Sequence, residues 1–164
     1  MHARGMRALN HRLALFLALA SVGACSVDHR REEAAVREFH QRLEQGRADL
    51  IYASSSEFLR QQVKESEFRK FLAQTRDLGT FQATERAHIN RTQVPGGPDI
   101  VLAFYNSRFA KASCLESFTW RVEGDQLKLA TYSCAPNMQV TCSGFDGSKC
   151  ETSPVPAPGL AGAP

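Results

Sequence analysis

The apolar period of this chain changes once, at Gly79, and that change dictates helices first and strands after. Before Gly79, apolar residues recur at helical spacing. Val36, Phe39, His40 and Leu43 fall at i, i+3, i+4 and i+7, which predicts an amphipathic helix over 32–45 ending at Gly46. A short helix is expected over 48–53. Ser54-Ser55-Ser56 breaks it and supplies an N-cap oxygen for a third piece over 57–63. Ser66 is expected to cap a fourth helix, 67–78, carrying Phe68, Phe71, Leu72, Thr75 and Leu78 on one side. Gly79 then serves as the residue after the helix end, where positive φ is tolerated.

Beyond Gly79 the period moves toward two. Strands are expected over 80–91, 99–109, 116–122 and 126–133, with turn signals at Pro95-Gly96-Gly97-Pro98 and Gly124-Asp125. Helices followed by an antiparallel meander argue for an α+β domain over 32–134, with the helices packed on one sheet face. Residues 135–150 read as a cysteine-bearing loop. Residues 151–164, rich in Pro, Ala and Gly, read as a disordered tail.

Cys114, Cys134, Cys142 and Cys150 make an even set, which in an exported chain reads as two disulfides with three possible connectivities. A two-residue turn at Gly124-Asp125 sets Trp120 opposite Leu129 and Val122 opposite Leu127, apolar against apolar. That register puts Cys114 opposite Ala135, so the cysteines miss by one residue. A three-residue turn aligns Cys114 with Cys134 but sets Trp120 against Lys128. One β-bulge between turn and cysteines meets both demands. The expectation is therefore Cys114–Cys134 with such a bulge, and Cys142–Cys150 closing the loop between them. Cys114–Cys142 or Cys134–Cys150 stands as the alternative. No Cys-x-x-Cys pair occurs and no zinc pattern is expected, so no metal or cofactor is assigned.

The first 24 residues read as a removable targeting segment. Arg4, Arg7 and Arg12 precede the apolar run 13–20, which is far shorter than the ~20 residues of a membrane-spanning helix. The run Leu19-Ala20-Ser21-Val22-Gly23-Ala24-Cys25 resembles the lipobox of bacterial lipoproteins. That resemblance implies lipidation of Cys25, a tether over 25–31, and attachment to a membrane through the lipid. Ser26 in the following position implies the periplasmic face of the outer membrane. The chain holds 20 Lys+Arg and 17 Asp+Glu; three of the former lie before Cys25, leaving 17 of each. A chain with no net basic charge lacks the footprint of nucleic-acid binding.

The element order, with Arg76-x-Leu78-Gly79, Tyr105-Asn106-Ser107-Arg108-Phe109, Glu116 and Trp120-Arg121-Val122-Glu123-Gly124-Asp125, resembles the cone fold of nuclear transport factor 2 and ketosteroid isomerase. It is closer to an uncharacterised lipoprotein branch of that superfamily. The resemblance implies a strongly curved, cystatin-like sheet around the helices and a pocket at its open end, which His40, Tyr105, Glu116 and Tyr132 could line. Fold alone does not assign activity. Ketosteroid isomerase chemistry needs a carboxylate base with a tyrosine and a protonated aspartate, and this chain offers no matching set. Tyr105 and Tyr132 read first as core aromatics, His40 as a helix-flank residue, and Glu116 as a partner for Arg108. The expected function is a non-catalytic binding or interaction module of the envelope, such as an immunity or accessory lipoprotein, contacting an envelope protein or a small apolar ligand. The alternative is a small pocket enzyme of the isomerase or dehydratase type.

Overall fold

The computed structural model describes residues 29–143 and 149–155. The segment 1–24, the lipidation position Cys25 and the tail beyond 155 lie outside them. Four helices lead the chain: α1 (Arg30–Glu44), α2 (Ala48–Ser54), α3 (Glu57–Gln62) and α4 (Glu65–Arg76). Six strands follow: β1 (Phe81–Thr92), β2 (Ile100–Phe109), β3 (Ser113–Glu123), β4 (Gln126–Pro136), β5 (Met138–Ser143) and β6 (Lys149–Pro154). The first four form an antiparallel sheet in the order β1-β2-β3-β4, and β5 pairs only with β6. The domain is α+β, with helices against a meander. No helix among the described residues is long and apolar enough to cross a membrane.

The helix ends follow local chemistry. The Ser56 hydroxyl accepts the Leu59 N–H at 3.2 Å and caps α3. The Ser56 N–H reaches across to the Leu129 carbonyl at 2.9 Å, tying the helical layer to β4. Ser66 does not cap α4. The helix begins at Glu65 behind Lys64, without a side-chain cap. Two acids in its first turn, Glu65 and Glu67, complement the helix dipole there instead. Gly79 has φ +97°, and a Cβ there would sit 2.9 Å from the Ala110 side chain, so glycine is required on two counts.

Strand alternation defines the core. In β2, Val101, Ala103, Tyr105, Ser107 and Phe109 are buried; in β3, Cys114, Glu116, Phe118 and Trp120 are. These inward residues meet Val36, Phe39 and Leu43 of α1, Ile51 of α2, Leu59 of α3, and Phe68 and Leu72 of α4.

The β3–β4 register carries the bulge, in the opposite sense to the expected one. Val122 faces Leu127 and Trp120 faces Leu129, but the next pair is Thr119 with Thr131. The extra residue, Ala130, belongs to β4. Aligning Cys114 directly with Cys134 would have needed the extra residue in β3, breaking the unbroken inward run from Cys114 to Trp120. Cys114 therefore faces Pro136, Cys134 faces Glu116, and the Cys114–Cys134 disulfide runs diagonally with Cα atoms 5.8 Å apart.

Within 135–150, residues 138–143 and 149–150 are strand rather than loop, and β6 continues to Pro154, past the expected start of the tail at 151. Met138–Ser143 and Lys149–Pro154 pair as a hairpin, with Cys142 directly opposite and bonded to Cys150. An outward residue of β2 holds this hairpin against the sheet. The Asn106 amide donates to the Val140 carbonyl at 2.8 Å and accepts the Val140 N–H at 2.8 Å. One side chain thus serves as a strand edge, a role that composition does not reveal. Asn106→Ala is expected to cost about 1–2 kcal/mol, two neutral hydrogen bonds in a half-buried setting. Amide exchange at Val140 should accelerate while exchange in β2 and β3 does not.

Candidate functional site

Four elements each send one polar side chain to a single buried point. β3 supplies Glu116, with no solvent exposure, on the inward face between Cys114 and Phe118. α1 supplies His40, whose Nε2 lies 2.8 Å from Glu116 Oε2. β4 supplies Tyr132, whose hydroxyl donates to Glu116 Oε1 at 2.5 Å. β2 supplies Ser107, whose hydroxyl donates to Glu116 Oε2. A serine hydroxyl carries one proton, so the 2.8 Å contact between Ser107 and Thr84 of β1 must be donated by Thr84. Helix α1 and all four strands of the main sheet are therefore joined through one carboxyl group.

The bulge makes this convergence possible. Without Ala130 as an extra residue, the register set at the turn would pair Tyr132 with Ser117 on the outer face. With it, Tyr132 pairs with Phe118 on the inner face and reaches Glu116. His40 is positioned by stacking on Phe81, ring centroids 4.0 Å apart at 18°. Its Nδ1 has no hydrogen-bond partner. A neutral ring protonated at Nε2 satisfies Glu116 and leaves only a lone pair, not an orphaned N–H, at Nδ1.

Of the four residues grouped from the sequence, the structure brings His40, Glu116 and Tyr132 together. Tyr105 sits opposite Glu116 in the β2–β3 ladder but its hydroxyl has no partner, and its ring packs edge-on against Phe118 at 5.9 Å. Arg108 is not the partner of Glu116. It alternates to the outer face and is exposed, whereas Glu116 faces inward. His40 is a buried core residue rather than a helix flank. Ser107 and Thr84 were not anticipated. The signal for Ser107 was present, because it is the one small hydroxyl at an inward position of an otherwise apolar β2 face.

Burial, then the charge of Glu116, hold the Tyr132 hydroxyl well above the usual tyrosine range. Burial, reinforced by Glu33 and opposed by Arg86, pushes Tyr105 up to about 12. Both tyrosines hold their protons more tightly folded than unfolded. That contribution is complete below the unfolded value near pH ~10 and is lost as pH rises toward the folded values. Urea midpoints should be flat just below pH ~10 and fall above it, with tyrosinate absorbance appearing together with unfolding. A midpoint unchanged up to about pH 11 would contradict this.

Glu116, His40 and Ser107 are buried, and Tyr132 is partly buried. Neither of two sizeable clefts is lined by His40, Ser107, Glu116 or Tyr132. The larger, about 460 Å³, lies between α1, α2 and the β3–β4 hairpin. Phe39, Ile51, Trp120, Leu127 and Leu129 are among its apolar lining, and Arg31, Glu38, Arg42, Asp125 and Lys128 supply its charges. Arg42 is held by Ser54 at 2.7 Å and Glu38 at 2.5 Å. A smaller cleft of about 310 Å³ runs along Leu43, Arg76, Phe81 and Phe109. Neither of these two clefts is lined by the Glu116 carboxyl group. Its chemistry is to fix the relative positions of the elements that meet on it. The larger cleft offers a different chemistry, an apolar surface bordered by three cations and two carboxylates.

A family model described as Protein of unknown function (DUF4019) matches residues 35–132. The match runs from α1 to Tyr132 and takes in His40, Ser107 and Glu116, while β5 and β6 lie beyond it. No curated protein matches the chain.

Proposed function

The chain belongs to the family described as Protein of unknown function (DUF4019), and from that premise we propose that it is a non-catalytic binding module held at a membrane surface. The observation that carries this reading is the separation of polar network from cleft. Glu116, His40 and Ser107 are buried in the core and Tyr132 is partly buried, while the open cleft is lined by none of the four and has an apolar lining with charges at its border. The order of four helices and a four-stranded meander supports the resemblance to the nuclear transport factor 2 cone.

The ligand that fits the larger cleft is amphipathic, with an apolar body for Phe39, Ile51, Trp120 and Leu127 and an acidic head for Arg31, Arg42 and Lys128. The anchor is the lipobox-type Cys25, on the periplasmic face of the outer membrane. Five residues lie between Cys25 and Arg31, a reach of at most about 20 Å, so the cleft would stay near the membrane surface. An envelope protein or a lipid-like molecule is the partner this placement favours, in an immunity or accessory role.

Trp120 is the one tryptophan in the chain and lines the cleft, so its fluorescence reports occupancy. Titration with long-chain fatty acids or acidic lysolipids should shift its emission saturably, and Arg42→Glu with Lys128→Glu should abolish the shift. Cys25→Ser should move the protein from the membrane to the soluble fraction. The binding reading fails if Trp120 does not respond and the mature domain captures neither lipid nor protein from envelope extract.

A second reading, a small isomerase or dehydratase, draws on one observation: a tyrosine, a histidine and a serine converging on one carboxyl group. It requires that the network open to a substrate. Rapid amide exchange at Glu116 and Phe118 would favour it; protection matching global unfolding would remove it.

A further inference from the structure

The β5–β6 hairpin brings Cys142 and Cys150 to the outer face of the main sheet, beside an outward residue of β1, His88. His88 pairs with Phe104 in the ladder, while its neighbour Ile89 pairs with the inward Ala103, so the imidazole is on the outer face. The ligand atoms of His88, Cys142 and Cys150 all lie within 4.8 Å of one another. These groups come from segments more than fifty positions apart in sequence, which hides the set from any spacing motif.

We propose that His88, Cys142 and Cys150 form a redox-gated site for a thiophilic d10 cation, Zn2+ or Cu+. In the disulfide form the two sulfurs are bonded to each other and the site is closed. A dithiol reductant opens it. Two electrons and two protons pass to Cys142 and Cys150, the S–S bond breaks, two thiols form, and the reductant leaves as its own disulfide. Metal binding then releases the two thiol protons to solvent, leaving two thiolates and one neutral imidazole on the cation.

Three observations support the site. The donor set is the right one, since thiolate and imidazole together select zinc and copper over harder cations. Two thiolates and an imidazole, with the fourth position left to water or a ligand, is a known zinc arrangement. The sulfurs need separate only to about 3.8 Å, the spacing of two thiolates on tetrahedral zinc, which side-chain rotation from directly opposed positions supplies.

Most telling, contacts other than the disulfide also hold the hairpin in place. Six residue pairs join β5 to β6. The Asn106 amide holds the Val140 backbone against β2. Asn137 N–H donates to the Ser113 carbonyl at 2.7 Å and Val155 N–H to the Asn137 carbonyl at 2.8 Å, fastening the open end of the hairpin. Reduction should therefore leave the three ligands side by side. The other disulfide differs in setting, because Cys114 is buried in the core face, so a mild reductant opens Cys142–Cys150 first.

The test uses the mature full-length protein, reduced mildly and freed of reductant under anaerobic conditions. Zn2+ is titrated against a chromophoric chelator, Cu+ against a Cu+-specific one, and Co2+ provides the thiolate charge-transfer band. The reduced protein is expected to take one equivalent and the disulfide form none. His88→Ala should weaken binding about tenfold or more, since even residues behind a ligand are worth about that much. Cys142→Ser with Cys150→Ser should abolish binding while Cys114–Cys134 remains intact. The proposal is overturned if the reduced protein binds neither cation at micromolar concentration. It is also overturned if His88→Ala binds as tightly as the parent, or if the double serine variant still binds. Protection of the Val140 amide in each variant shows that the hairpin has stayed in place.

Discussion

Glu116→Ala is expected to destabilise the folded domain by about 3–5 kcal/mol, the scale for removing one member of a buried charged network. Glu116 is fully buried and receives the Tyr132 hydroxyl, the Ser107 hydroxyl and the His40 ring nitrogen. Truncation leaves three donors without an acceptor, each worth roughly 1–3 kcal/mol when orphaned, and adds a cavity at the centre of the sheet. The contributions are not additive, because neighbouring groups relax toward one another. Glu116→Gln keeps the volume and one acceptor oxygen but turns an N–H toward a donor, so a smaller loss of about 1–3 kcal/mol is expected. Replacing the whole set by apolar shapes, with His40→Leu, Ser107→Ala, Glu116→Leu and Tyr132→Phe, should recover most of the loss, because only the half-buried Thr84 hydroxyl then loses its partner. Urea unfolding followed by far-UV circular dichroism measures all three. A cost below about 1 kcal/mol for Glu116→Ala would mean that the network does not hold the elements together.

Phe118→Ala should cost about 3–5 kcal/mol by a different route, the loss of a large apolar side chain from a site that cannot collapse. Phe118 has no exposed surface. Its ring lies 5.1 Å from Phe39, 5.0 Å from Tyr132, 5.6 Å from Trp120 and 5.9 Å from Tyr105, centroid to centroid. Those neighbours stand on α1, β2, β3 and β4, each fixed by its own ladder or helix, so none can move in to fill the space. Phe118→Leu retains most of the volume and should cost about 1.5 kcal/mol or somewhat more. Trp120 stacks on Phe118 at 5°, so its emission should shift to longer wavelength in Phe118→Ala and much less in Phe118→Leu. Equal losses for the two substitutions would show that the cavity relaxes.

Much of the architecture was legible because it depends on local periodicity. The helical face Val36, Phe39, His40, Leu43 reads directly from spacing, and all four residues are buried. The alternation in β2 and β3 names their inward residues, Glu116 included, since it shares parity with Phe118 and Trp120. Pairing at the Gly124-Asp125 turn followed from apolar residues meeting apolar residues. The errors came where a long-range contact outweighed local composition. Residues 135–150 look like a loop because Ser, Gly, Asp and Lys crowd between the two cysteines. Asn106, more than thirty residues earlier, helps to hold the hairpin by bonding to the Val140 backbone. Arg108 looked like a partner for Glu116 by charge, but strand parity sends the two side chains to opposite faces.

By itself the sequence determined the kind of domain: an α+β chain whose helices precede a meander, with no net charge once the first 24 residues are set aside. It also determined which residues of α1, β2 and β3 face inward, because burial there follows periods of 3.6 and 2 that any reader of the chain can count. Only the tertiary structure decided what those inward residues meet. One extra residue in β4, Ala130, turned Tyr132 onto Glu116 and moved Cys134 from opposite Leu115 to opposite Glu116, diagonal to Cys114. A bulge is chosen by the combined packing of both strands and the helix above them, a comparison among long-range contacts that no local pattern encodes. For the same reason the network on Glu116, the separate cleft and the meeting of His88 with Cys142 and Cys150 are properties of the folded chain alone.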